Sequence, residues 1–197
     1  MPKIVDAEAR RREVTEIAAR LVVTGGRSAL TVRNVAHAAG CSSTVVSHYF
    51  DDMAELFHET YSFAAARAAR RVAAVQARDP GDIAGLVEAV LPLDRERTDD
   101  WRIWFAFWSE ALTSPVFARE QRGRARSTQE RFERSLRLLV DRGHLDAAVD
   151  VGAAAHRLAA LVPGIAAEAI FDPRRWTPAR QRQVLHGELA LIGLPVV

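Results

Sequence analysis

Cysteine occurs once in these 197 residues, at Cys41, which excludes an internal disulfide and argues against a cysteine-based metal site. It falls in a turn, where packing of a small residue is the simpler role and redox sensing the alternative. Lysine also occurs once, at Lys3, so arginine carries the positive charge. Arg, Asp and Glu interrupt every apolar tract before it approaches the roughly 18 residues of a membrane span. The N-terminal stretch MPKIVDAEARRREV contains acidic residues and no apolar h-region, unlike a secretory signal. Together these absences point to a cytoplasmic protein. Period-two alternation, internal repeats and low-complexity linkers are missing as well, which excludes a β-architecture or a solenoid. There is no Ser/His/Asp order, no metal-spaced His/Glu pair and no glycine-rich phosphate cradle. His144 and His156 are twelve residues apart with no carboxylate at ligand spacing. The expectation is no enzyme, no metal and no cofactor.

Apolar residues make up 49% of the chain, enough to bury a core. The net charge of +2 is unevenly placed. Residues 1–50 hold Lys3, Arg10, Arg11, Arg12, Arg20, Arg27 and Arg33 against Asp6, Glu8, Glu13 and Glu16, a net +3 that leaves −1 for the remainder. A basic N-terminal module on a near-neutral body suits phosphate contact at one end.

That module is organised around residues 31–50, TVRNVAHAAGCSSTVVSHYF. Thr31 is a suitable N-cap. Val32, Val35, Ala36 and Ala39 recur at helical spacing, and Gly40 can end the helix in the left-handed conformation. Ser42 or Ser43 can cap a second helix with Val45, Val46, Tyr49 and Phe50 as its apolar positions. A small residue at 36, glycine at 40 and a branched residue at 46 have the spacing of a helix-turn-helix, whose second helix enters the DNA major groove. A helical hairpin in an ordinary bundle is the alternative.

The run from Gly26 through SHYF to Asp51-Asp52 and Glu55-Leu56 resembles the N-terminal signature of TetR-family transcriptional regulators. Gly26, Thr31, Val35, Ala36, Gly40, Ser42, Tyr49, Phe50 and Leu56 carry the resemblance, which spans residues 8–60. SHYF together with FAFW at residues 105–108 is similar to the choline-responsive repressors of the betaine pathway within that family. The resemblance implies an all-α, TetR-like fold of about nine helices. Its helix-turn-helix head covers residues 1–50, with the start of a fourth helix to about 58. Residues 51–197 form a helical body for ligand binding and dimerisation.

The helical pattern agrees. Residues 6–24 form one amphipathic helix, with Arg10, Arg11 and Arg12 either a solvated face or a basic arm on DNA. Asp51 or Asp52 begins a helix to Arg78, where Met53 replaces the lysine that many relatives use on a phosphate. A short helix follows at 82–91, then one capped by Asp99 or Asp100, then helices at 116–142, 147–171 and 177–193.

Thr31, Arg33, Ser42, Ser43, Thr44, Ser47, His48 and Tyr49 are the expected DNA-binding residues. Hydroxyls at 43, 44 and 47 can reach base edges or phosphates but read bases permissively. The resemblance places His48 and Tyr49 on phosphates; Tyr49 reads equally well as a core residue. Trp101, Trp104, Phe105 and Trp108 fall at i, i+3, i+4 and i+7 and form an aromatic stripe, which reads either as core or as a cage for an organic cation. Glu110 is the expected counter-charge. The betaine-pathway repressors carry an acid and a tryptophan in the penultimate helix where this chain has Pro163 and Ala166, which implies a rebuilt pocket. Choline is then one candidate beside polyamines and cationic drugs. The expected partners are a double-stranded DNA operator, a small effector and a second copy of the chain. Ala154, Leu158, Leu161, Ile165, Leu185, Leu189 and Ile192 offer the dimer face. The Asp52–Arg78 helix is expected to lie beside the aromatic helix and pass an effector-driven displacement to the head. The function expected is a repressor released by its effector; a DNA-binding dimer without a ligand is the alternative.

Overall fold

The computed structural model describes residues 2–194, with side chains from Ala7. All of its regular structure is helical. The helices are α1 (Pro2–Gly25), α2 (Val32–Ala38), α3 (Ser43–Tyr49), α4 (Met53–Arg78), α5 (Ile83–Glu88), α6 (Arg95–Ala111), α7 (Pro115–Asp141), α8 (Val151–Phe171) and α9 (Pro178–Leu191), with a single 3₁₀ turn at Arg27–Ala29. The punctuation is local. Thr31 Oγ1 accepts the Asn34 N–H at 3.2 Å to start α2. Gly40, at φ +62°, ends it, and the Cys41 N–H returns to the Ala36 carbonyl at 3.0 Å. Asp52 caps α4 by accepting the Glu55 N–H at 2.8 Å, while Glu55 reaches back to the Asp51 N–H at 2.6 Å.

Of the boundaries that fall elsewhere than the sequence suggests, two are set by carboxylate caps. Asp94, rather than Asp99 or Asp100, starts α6, its carboxylate accepting the Arg97 N–H at 2.8 Å. Asp150 caps α8 through the Ala153 N–H at 3.0 Å, so that helix starts after residue 147. Each carboxylate lies three residues before the amide it satisfies, the reach of an N-cap.

The chain packs as two compact units. The first comprises Met1–Arg67 and Asp99–Phe117; the second comprises Ala68–Thr98 and Ala118–Val197. This division takes the aromatic part of α6, which the sequence pattern groups with the body, into the same unit as the helix-turn-helix. The cause is aromatic packing. Phe107 of α6 stacks on Tyr61 of α4 with centroids 3.7 Å apart and touches Phe57 at 6.0 Å. Phe107 and Ile103 are fully buried with Val14, Val35, Val46, Leu56 and Phe57. Met53 is partly buried against the same cluster, so no cation begins α4.

In the second unit Phe132, Leu136 and Leu139 of α7 are buried, as are Leu158 and Ile165 of α8 and Leu185 and Leu189 of α9. Gln181 is also buried, and its amide donates to the Pro92 and Trp176 carbonyls at 3.2 and 3.0 Å. Among the described helices, α8 is long and apolar enough to cross a membrane by length and composition. Its inner residues are buried in the unit, while Arg157 and Glu168 stand exposed. Ala154, Leu158, Ile165, Leu185, Leu189 and Ile192 are buried within the protomer, so of the expected dimer face Leu161 retains accessible surface. Exposed instead are Ala160, Gly164 and Phe171 on α8, and Gly187, Ala190 and Leu191 on α9.

Candidate functional site

The helix-turn-helix presents one polar face. Val46 is 1% exposed and pins α3 against α2, where Val35 and Ala36 are buried. At about 100° per residue, Thr44, Ser47 and His48 then point away from the core. Thr31, Arg33, Ser42, Ser43, Thr44, Ser47 and His48 are all exposed, while Tyr49 is half-buried with its ring edge-on to His48 at 5.2 Å. The Thr31 hydroxyl accepts the capping bond and so keeps its own proton for a phosphate oxygen. Its neighbour Arg33 adds a charge at the N-terminus of α2.

The basic residues around the helix-turn-helix face different ways, and Arg10 pairs with Glu13 on its own helix at 2.6 Å. Arg12, Arg20 and Arg33 are exposed. Arg27 turns inward, donating to the Leu30 carbonyl at 3.2 Å and lying 5.0 Å from the Phe57 centroid. Arg11 also turns toward its neighbours. It donates to the Tyr49 carbonyl at the C-terminus of α3, to Glu55 at 2.6 Å and to Glu59 at 3.1 Å. Its guanidinium also lies 4.4 Å from the Phe50 ring centre. Arg11 is therefore neither a solvated charge nor a free basic arm: it clasps α1, α3 and α4 together. A cation at the C-terminus of a helix is favoured by the unsatisfied carbonyls there. The clasp was hidden because its partners lie 38–48 residues away in sequence.

Arg11 holds the Glu55 carboxyl below its usual 4.5, and the Asp51 N–H adds to the effect. A carboxylate depressed by folding stabilises the fold fully above its unfolded value and loses that contribution as pH falls through the folded one. The stability difference between the protein and Glu55→Gln should be flat above pH 4.5 and shrink below it, measured by thermal melts across pH.

The structure brings the four stripe residues together. Trp101 is 3% exposed; Trp104, Phe105 and Trp108 are half-buried. Trp101 meets Trp104 at 4.8 Å and 76°, and Trp108 at 5.8 Å and 86°; Phe105 meets Trp108 at 5.4 Å and 83°. These are edge-to-face contacts between near-perpendicular rings, the mutual orientation of the walls of an aromatic box. Glu110 is not brought to them. It stands about 180° around α6 from the centre of the stripe, given about 100° per residue. The acid nearest the stripe in register is Asp100, one turn before Trp104 and fully buried. From its position in the sequence it reads as a cap. A groove of about 390 Å³ in the same unit is lined by Glu8, Arg11, Arg12, Thr15, Glu59 and Phe63 among others, and by none of the four rings.

Comparison with known proteins decides the family. Residues 81–193 match the BetI-type transcriptional repressor C-terminal family, and residues 14–60 match the bacterial regulatory proteins of the tetR family. The chain belongs to the TetR family. The HTH-type transcriptional regulator PksA of Bacillus subtilis is 27% identical over 194 residues, covering 94% of this chain and 90% of PksA. The HTH-type transcriptional regulator BetI of Paraburkholderia phymatum is 31% identical over 126 residues, 61% of this chain, and the match spans 64% of that BetI. A transcriptional regulator from Saccharomonospora viridis, solved in complex with choline, has a TM-score of 0.82 at 21% identity, covering 93% of this chain and 96% of that one. At that identity the likeness speaks for the fold. This TetR-family chain is a DNA-binding transcriptional regulator and not an enzyme.

Proposed function

We propose that this protein is a homodimeric repressor that leaves its operator when a small organic cation enters between the aromatic rings of α6. The carrying observation is that the Trp101, Trp104, Phe105 and Trp108 rings belong to the same compact unit as the recognition helix α3. The exposed hydroxyls of Ser43, Thr44 and Ser47 face base edges, with Ser42 beside them at the helix start. Thr31, Arg33, His48 and Tyr49 hold the phosphates. Ring faces attract quaternary ammonium ions by about 0.5–2 kcal/mol per contact. The choline in the S. viridis structure and the BetI-type match both favour a cation of that kind. The Phe107–Tyr61 stack joins α6 to α4, and α4 begins against the clasp that ends α3, so movement of α6 has a packed route to the reading face. An effector acts by preferring a conformation whose recognition helices no longer fit the groove spacing.

Titration with choline, then with larger organic cations, tests this reading. One of these should quench tryptophan fluorescence and weaken operator binding about 5- to 150-fold, the range of a coupling of about 1–3 kcal/mol. Trp104→Ala and Trp108→Ala should abolish both responses and leave DNA binding intact. Unfolding of both variants, with no cation response in the parent, would assign the stripe to the core and leave a DNA-binding dimer without an effector.

A further inference from the structure

One arginine of α7 has no acid at any position where a helix would pair it. Partners on a helix stand three or four residues away. For Arg131 those positions hold Ser127, Thr128, Arg134 and Ser135, three hydroxyls and a second cation. Two other arginines on the same side of α7 are paired. Arg124, two turns earlier, donates through Nε and Nη2 to Glu120 at 3.0 and 2.8 Å. Arg142, three turns later, pairs with Asp79 at 2.8 Å. Arg131 makes no hydrogen bond or ion pair among the described residues, although it is half-buried. Burial lowers its pKa below the ordinary value and nearby Arg134 lowers it further, with no carboxylate among the described residues to offset them. The guanidinium keeps its proton all the same.

The hydroxyls beside it are unengaged as well. Ser135 is 3% exposed and Thr128 is half-buried, and neither side chain makes a hydrogen bond among the described residues. At about 100° per residue, Thr128, Arg131 and Ser135 fall within a sector of about 60°. Helical side chains lean toward the N-terminus, so the guanidinium extends toward Thr128 and Ser135 stands over its aliphatic stem. Phe132 and Leu136 are buried on the adjoining sector. Polar groups withdrawn from water without partners destabilise a fold. These three share one chemistry: each donates to an oxygen.

We infer that Arg131, Thr128 and Ser135 form a binding site for a small oxyanion, a carboxylate or a phosphate, on α7 in the second unit. The guanidinium supplies the forked donors that match either group, and Thr128 adds a hydroxyl donor. Arg134, exposed one turn away, adds charge from the solvent side. Phe132 and Leu136 alongside suit an anion with an apolar body. Neutral and cationic compounds are rejected, because they leave the guanidinium without a counter-charge. The ligand is opposite in sign to the one proposed for the α6 rings, and the two sites stand or fall separately.

Thermal melts of the full chain test this with benzoate, inorganic phosphate and neutral benzamide, each against sodium chloride at equal ionic strength. Benzoate or phosphate should raise the melting temperature by about 2–4 °C at several times its Kd, and benzamide should not. A rise with benzoate alone identifies a carboxylate site, and a rise with phosphate alone a phosphate site. Arg131→Met keeps the stem and removes the charge. Without oxyanion it should melt at or above the parent, since a half-buried cation lacking a counter-charge is gone, and its oxyanion-dependent rise should vanish. Thr128→Val keeps the shape without the donor and should weaken binding about tenfold or more by calorimetric titration. An equal rise in Arg131→Met would mark general salt stabilisation and overturn the inference. So would no rise in the parent with either oxyanion, or unchanged binding in Thr128→Val. Arg131→Met melting well below the parent would make the arginine part of the fold and overturn it too.

Discussion

Arg11→Met will destabilise the DNA-reading unit by about 2–3 kcal/mol, the scale of a charge-assisted hydrogen bond plus partly exposed ion pairs. It will also weaken operator binding by about tenfold or more, on the scale of one to two kcal/mol of lost preorganisation. The substitution keeps the aliphatic stem and removes the guanidinium. What is lost is the donor to the Tyr49 carbonyl, the pairs with Glu55 and Glu59 and the contact on Phe50. The ion pairs are about one-third exposed and count for little alone. The capping bond counts for more, because it closes the end of α3 onto α1. A phosphate-binding Arg11 would behave differently: DNA affinity would fall and thermal stability would stay. Parallel melts and operator titrations separate the two roles, and unchanged stability would contradict the clasp.

Gly187→Glu will convert the dimer to a monomer and weaken operator binding by about 100-fold or more, as expected when two linked heads become one. Gly187 lies on the exposed face of α9 with Ala190 and Leu191, and a Cβ built there meets nothing within 4 Å. The protomer tolerates the larger side chain, and replacing a mid-helix glycine favours the helix by about 0.5–1 kcal/mol. Between two chains packed through this face, the same carboxylate is buried without a partner. Pairing supplies the two recognition helices that successive major grooves, roughly 34 Å apart, require. Sedimentation should show monomers with an undiminished melting transition. A dimer that persists in Gly187→Glu would move the interface elsewhere.

The sequence was readable wherever the determinant was local. Thr31, Gly40 and Val46 set the helix-turn-helix through contacts a few residues apart, and glycine and proline mark the later breaks. It was misleading where a local rule had several candidates or the partner was distant. Asp94, Asp99 and Asp100 all satisfy the rule for an N-cap. The choice was made by Arg67, 33 residues from Asp100, which draws that carboxylate into the core. Glu110 could serve as the counter-charge only if it pointed inward, and helix rotation carries it away from the rings. The apolar stripes of α8 and α9 were visible but belong to the protomer's own core. The exposed side opposite includes Ala160, Gly164, Gly187 and Ala190, which leave little mark on a hydrophobic pattern. Arg11 could be counted as charge in the sequence, yet its place in the clasp follows from helix packing alone.

Selection from a random duplex library, with the protein and with Thr44→Ala/Ser47→Ala, tests the central claim most directly. The account predicts one enriched inverted repeat for the protein, its half-sites about one helical turn or a multiple apart. It predicts a changed or lost half-site for the double variant, whose substitutions fall on the exposed side of α3. Enrichment of no sequence, or of the same sequence by both proteins, would contradict it.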